Sequence, residues 1–249
     1  MEIFALIAVT IYCCVSLFMA IRLIRMARRT REIPELMIGL AFLTGGMFGY
    51  PFSVASSVLL GASKPVAANV TWVVAQAGMA LAAFFVLLSW RHIFAREIPG
   101  GRALISGWAV LLVASTVGVI MTSGPVPGTP VIQGFGWFML ITQGGCYALI
   151  GWSSYSHARM LRKRCVLGLA DPVIANRIWL WGLSNSTITF SYLYTMIATI
   201  MVRFGLPSIF DPSVIAGCGL AAACCITLAF LPPRAYVERV RAKFAVEAA

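Results

Sequence analysis

Apolar residues run along this chain in seven long stretches, separated by short polar or Gly/Pro-containing connections. The stretches fall at residues 3–24, 35–60, 67–90, 104–122, 131–156, 177–202 and 213–232. Each is long enough to cross a hydrocarbon layer of roughly 30 Å as a helix. Backbone groups in lipid must bond within the protein, which permits helices or closed barrels, and runs of this length select helices. No ionisable side chain lies deep inside any stretch. The pattern predicts an all-α membrane protein, a single domain over residues 1–249 with seven transmembrane helices.

Composition agrees with that pattern. The chain is 60% hydrophobic and only 11% charged, with a mean hydropathy of +0.90. The net charge of +11 would suit a nucleic-acid partner, but its distribution points elsewhere. Arg22, Arg25, Arg28, Arg29 and Arg31 follow the first stretch, and Arg91, Arg96 and Arg102 follow the third. Arg159, Arg162, Lys163, Arg164 and Arg177 separate the fifth from the sixth, and Arg234, Arg239, Arg241 and Lys243 follow the seventh. The opposite side keeps only Lys64 and Arg203. Positive charge collects on the cytoplasmic side of membrane proteins, so the N-terminus is expected outside and the C-terminus in the cytoplasm. The basic face then meets anionic lipid and offers a docking surface for a cytoplasmic or membrane protein partner; no nucleic acid is implied. A plasma membrane, the inner membrane of a bacterium, is the expected location.

The opening Met-Glu-Ile-Phe has no basic run before the apolar stretch, so the first helix is expected to remain as an anchor. The seven cysteines avoid the expected outer loops and read as packing residues rather than a disulfide framework.

A shift of 143 residues aligns Gly39-Leu40 with Gly182-Leu183, Ala55 with Ala198, Arg91 with Arg234 and Arg96 with Arg239. The chain thus reads as two triplets joined by the fourth stretch, a three-plus-one-plus-three parallel repeat. That plan, with its N-terminus outside, resembles the architecture of microbial rhodopsins, of PQ-loop and SWEET sugar carriers, and of G-protein-coupled receptors. The likeness is one of topology over the full chain. Retinal proteins need a lysine in the last helix, and this chain's only lysines, Lys64, Lys163 and Lys243, lie in loops or tail. The Pro-Gln dipeptide of the carriers and the Asp-Arg-Tyr and Asn-Pro-x-x-Tyr motifs of the receptors are also missing.

Candidate chemistry is confined to neutral groups. The sixth stretch is the least lipid-like: Ser184, Thr187, Ser191 and Thr195 form one stripe, and Asn185, Thr189 and Tyr192 the next. The third offers Asn69, Trp72 and Gln76 on one face; the fifth offers Gln133 with Trp137, and Gln143 with Tyr147. Such groups are either interhelical hydrogen bonds or the wall of a cavity for a neutral, partly apolar ligand. The ligand-binding set expected from spacing is Asn69, Trp72, Gln76, Gln143, Tyr147, Asn185, Thr189 and Tyr192, between the second, third, fifth, sixth and seventh stretches. Pro51 takes the usual donor from the carbonyl of Met47 and interrupts the second helix beside Gly45 and Gly49; Gly217 and Ala221 form a similar small-residue pair. His92 and His157 sit among arginines at one end of the bundle, and all eight acids lie at helix ends or in loops. No catalytic or metal-binding set assembles from these, so no enzyme and no cofactor is expected. The expected function is a receptor or sensor that binds a small neutral or lipidic ligand and signals through a separate partner. The alternatives are a facilitative carrier of a small solute and a structural or assembly subunit of a membrane complex.

Overall fold

The computed structural model describes residues 2–96, 99–125 and 134–248, and among these there are only helices and their connections. Helix α1 spans Glu2–Thr30, α2 Ile33–Leu43, α3 Tyr50–Gly61, α4 Pro65–Phe94 and α5 Gly101–Thr122. They are followed by α6 over Phe135–Val166, α7 over Pro172–Arg203, α8 over Pro212–Phe230 and α9 over Arg234–Ala248. Among the described residues five segments are long and apolar enough to cross a membrane: Ile7–Thr30, Ile33–Gly61, Pro65–Phe94, Gly101–Thr122 and Pro212–Phe230. The chain is therefore an all-α, multi-pass membrane protein. Helices α6 and α7 have 32 residues each, roughly 48 Å of helix. Their mean composition is more polar because α6 ends in basic residues and α7 carries the Ser/Thr/Asn stripes.

The helices outrun the apolar stretches. Arg22, Arg25, Arg28 and Arg29 lie on the last turns of α1 rather than after it, and Arg159, Arg162, Lys163 and Arg164 ride on α6. Gln133, expected to pair with Trp137, lies outside the described residues. Two of the acids are helix caps. Asp171 accepts from the Val173 N–H at 2.9 Å and Asp211 from the Ser213 N–H at 2.8 Å, each just before a proline that opens the helix. The α6 and α7 ends close on Gly168 and Gly205, both left-handed, at φ 70° and 72°.

Helix α9 has no counterpart in the seven stretches. It folds back on α6 and α7: Phe244 is buried with Cys165 and Ala175, and Asn176 Nδ2 donates to the Tyr236 hydroxyl at 2.8 Å.

Between α2 and α3 the backbone widens into a single π turn over Thr44–Gly49, where the Tyr50 N–H donates to the Gly45 carbonyl. The wide turn sits just before Pro51, which has no N–H to continue the ladder. It also brings backbone close to backbone. A Cβ placed on Gly78 would sit 2.8 Å from Gly49 N and 2.9 Å from Thr44 O; one on Gly49 would press Met79, and one on Gly46 would collide with Ser16.

The helices form a closed ring of six walls, with α2, the π turn and α3 counted as one helix. α1 packs on α2, α2 and α3 on α4, α4 on α6, α6 on α7, α7 on α8, and α8 returns to α1; α5 lies outside, against α4 and α6. Glycines mediate close contacts inside two groups of this ring. In one, Gly39 meets Leu23 and Ile24, and Gly45 meets Ala82. In the other, Gly144 meets Tyr192, Gly151 meets Ser186, and Gly182 meets Ser154 and Tyr155. Where the groups join, α4 meets α6 through a hydrogen bond from the Trp90 indole to Ser153 Oγ at 2.8 Å. At the other seam, a Cβ placed on Gly219 of α8 would lie at ordinary van der Waals distance from the Tyr12 ring of α1. The Gly217–Ala221 pair does not seat a helix: nothing lies within 4 Å of a Cβ on Gly217, and Ala221 is exposed.

The main apolar core, with Met19, Leu23, Leu87, Trp90, Ile150 and Trp181, fills the half of the ring nearer the arginines. Overpacking a close contact costs about 1–3 kcal/mol, so Gly78→Ala is expected to lower the thermal midpoint in detergent. Gly217→Ala, which meets open space, is expected to leave it unchanged or raise it slightly. Equal midpoints for the two variants would show that the π turn does not constrain α4.

Candidate functional site

A cavity of about 280 Å³ lies at the centre of the ring, in the half away from the arginines. All six walls contribute to it. Tyr12 comes from α1, Gly45 and Tyr50 from the π turn and the start of α3, and Gln76 and Met79 from α4. Gln143 and Tyr147 come from α6, Ser191, Tyr192 and Thr195 from α7, and Cys218 and Gly219 from α8. No Lys, Arg, His, Asp or Glu lines it. A smaller chamber of about 60 Å³ lies deeper, toward the apolar core, and shares Tyr12, Gly45, Tyr147 and Ile188 with the first. Ser16, Trp181 and Asn185 complete its polar edge.

The polar groups on this wall are only partly satisfied. Gln143 is 0% exposed, and its Oε1 accepts from the Tyr192 hydroxyl at 2.9 Å. The Tyr192 ring stacks on Tyr147 at 6.0 Å between centroids. Yet Gln143 Nε2 and Gln76 Oε1 are buried with no hydrogen-bond partner. A buried amide left half-bonded costs free energy comparable to a lost hydrogen bond. Here a free donor and a free acceptor line the same cavity, and a ligand carrying both kinds of group would satisfy them.

Of the residues expected from spacing, Gln76, Gln143, Tyr147 and Tyr192 line the main cavity, and Asn185 lines the inner chamber. Asn185 Nδ2 is already bonded to the Trp181 carbonyl at 2.8 Å. Three others do not reach either space. Asn69 is exposed on the second turn of α4, near Gly124. Trp72 is half-buried outside both linings. Thr189 turns its hydroxyl back to the Asn185 carbonyl at 2.9 Å. The Ser/Thr stripe of α7 is mostly self-bonded as well: Thr187 bonds Ser184 O, Ser191 bonds Ile188 O and Thr195 bonds Ser191 O. Only Ser184 crosses to a neighbour, the Ala222 carbonyl of α8, at 3.3 Å.

Spacing also missed Tyr12 and Tyr50, whose rings meet edge to face at 6.0 Å on the α1–α3 side of the cavity. The signal was a lone tyrosine in the middle of an apolar run and a second one beside Pro51. His157 packs its ring edge on Phe94 at 5.5 Å. Among the described residues no three His, Cys, Asp or Glu side chains cluster to hold a metal ion.

The fold and site together define a multi-pass helical membrane protein with an uncharged central cavity. No family model, curated protein or solved structure matches the chain.

Tyr192→Phe removes the one donor to Gln143 and leaves that amide wholly unpaired. It is expected to cost about 1–3 kcal/mol, read as a lower thermal midpoint, whereas Thr189→Val should cost little. An unchanged midpoint in Tyr192→Phe would mean that cavity water already serves the amide.

Proposed function

We propose that this protein spans the membrane seven times, with its N-terminus outside and its basic face in the cytoplasm, and binds a small neutral ligand in the central cavity as a receptor or sensor. The observation that carries the reading is that Gln76 Oε1 and Gln143 Nε2, both buried and unpaired, line one cavity with Tyr12, Tyr50, Tyr147 and Tyr192. An acceptor and a donor without any formal charge favour a ligand bearing its own donor and acceptor, such as an amide or hydroxy compound, over an ion. The apolar core below the cavity closes it toward the arginine face. A ligand bound from the far side would act through the packing of Tyr147, Trp181 and Asn185 around the inner chamber. The output then passes to a separate protein at the basic face, which extends along α6 and α9.

A facilitative carrier is the second reading, and one observation favours it. Glycine contacts tie α1 to α4 into one unit and α6 to α7 into another, while the seams α4–α6 and α1–α8 are equivalent in a two-triplet plan. Gly39 and Gly182, matched by the 143-residue shift, each seat against the first helix of their own triplet. Two such units could rock about the cavity between them.

Native mass spectrometry of the full chain in mild detergent tests ligand binding directly. A small neutral molecule is expected to leave the chain on collisional activation, and its occupancy should fall about tenfold in Gln143→Leu and in Gln76→Leu. Thr189→Val should keep it. A bare wild-type chain, or equal occupancy in all variants, would overturn the reading. Uptake of the released compound into proteoliposomes would then select the carrier over the receptor.

A further inference from the structure

A separate cavity, of about 310 Å³, opens on the outer face of α6 and α7 at the arginine-bearing end of α6. It is lined by Trp152, Tyr155, Ser156, Arg159, Arg162 and Trp179. Five of these come from α6 at spacings of three and four, which puts them on one face. Trp179 comes from α7 and closes the side. The Arg162 guanidinium carbon lies 5.7 Å from the centroid of the Trp179 ring, within cation–π range. Arg159 and Arg162 are both exposed, and no Asp or Glu lines the groove. Two cations thus border one groove, Arg162 against the Trp179 ring, and no Asp or Glu is among the lining residues.

The groove is also graded along its length. Trp152, 75% exposed, stands seven residues before Arg159, about 10 Å along the helix. Tryptophan on a lipid-facing helix surface sits at the boundary of hydrocarbon and head groups. Arginines two to three turns further out then reach the level of lipid phosphates. From this we infer that the α6–α7 groove is a binding site for one anionic glycerophospholipid. Arg159 and Arg162 hold its phosphate by charge-assisted hydrogen bonds, Ser156 meets the head group, and Trp152 and Tyr155 flank the glycerol and upper acyl chain. The aromatic grading selects a lipid phosphate over a soluble one, because a free anion would leave Trp152 without an occupant. The site is separate from the central cavity and does not depend on what that cavity binds.

Arg162 gives the site a further link. It also borders a small pocket with Asn176, Val240, Lys243 and Phe244, where α9 rests on α6 and α7. A lipid phosphate on Arg162 therefore sits next to the α9 contact and is expected to strengthen it.

The test uses the full-length protein in mild detergent, titrated with phosphatidylglycerol or with phosphatidylcholine of the same chains and followed by native mass spectrometry. One phosphatidylglycerol is expected to stay on the wild-type chain in clear preference to phosphatidylcholine. Each of Arg159→Gln and Arg162→Gln should weaken that preference about fivefold, while Arg25→Gln on α1 should leave it alone. The wild-type comparison needs no variant, so the proposal remains exposed even if a substitution harms folding. Equal retention of the two lipids, or undiminished preference in the Arg159→Gln/Arg162→Gln double variant, overturns it. Thermal stabilisation by inorganic phosphate with none from phosphatidylglycerol would mark a soluble-anion site and also overturn it.

Discussion

Every polar group carried into the hydrocarbon layer must find a partner inside the protein, and this single constraint organises the bundle. Most side chains meet it locally. Thr44, Thr71, Ser89, Thr142 and Thr195 fold their hydroxyls back on carbonyls of their own helices. Others meet it across helices and thereby fix the packing. The Trp108 indole donates to the Thr142 carbonyl at 3.0 Å, which holds α5 on α6; Ser56 donates to the Ala68 carbonyl at 2.8 Å, which holds α3 on α4. Against that background, among the described residues, Gln76 Oε1, Thr116 Oγ1, Gln143 Nε2 and Ser154 Oγ stand buried without partners. Gln76 and Gln143, on different helices, both line the central cavity. The unmet constraint therefore concentrates where the six ring helices leave space.

How much of this was legible in the sequence follows from what periodicity can encode. Stretch lengths and arginine placement located the helices, because length and charge are read one residue at a time. They placed the ends short, since α1 and α6 continue through arginines whose long stems tolerate the interface. Helix α9 escaped because an amphipathic helix lying against α6 and α7 has no apolar run; it docks through Phe244, Val240 and the Tyr236 hydroxyl. Pro51 correctly marked an irregular second helix, but that the irregularity is a π turn depends on its neighbours Ser16 and Gly78.

The candidate site was legible by halves for a geometrical reason. Spacing of three and four says which residues share a face, not how that face is rotated or how deep it lies. On α4 only Gln76 of the three expected residues reaches the cavity; Asn69 is exposed on the second turn and Trp72 lies outside both linings. On α7 the cavity falls on the side of Ser184, Ile188, Ser191 and Thr195, so Tyr192 and Asn185 sit at its edge and Thr189 turns away. Tyr12 stood out only as a lone tyrosine in an apolar run, and nothing in the first stretch pairs with it; its partner, Tyr50, lies 38 positions away and meets it only in three dimensions.

The two glycine-packed groups bear on how such a cavity could respond to an occupant. A glycine contact holds backbones so close that any added atom collides, as at Gly78 and Gly46, and such contacts resist sliding. Contacts made by side-chain ends, such as Trp90 to Ser153, can lengthen or re-form at small cost. The cavity lies between the stiff groups and takes walls from both, with Gln76 on one and Gln143 on the other. A ligand that bonds both amides at once would bridge the groups across their softer seams. The free energy of that bridge depends on the spacing of the groups, so binding and relative position are coupled whichever of the two readings, sensing or transport, the protein performs.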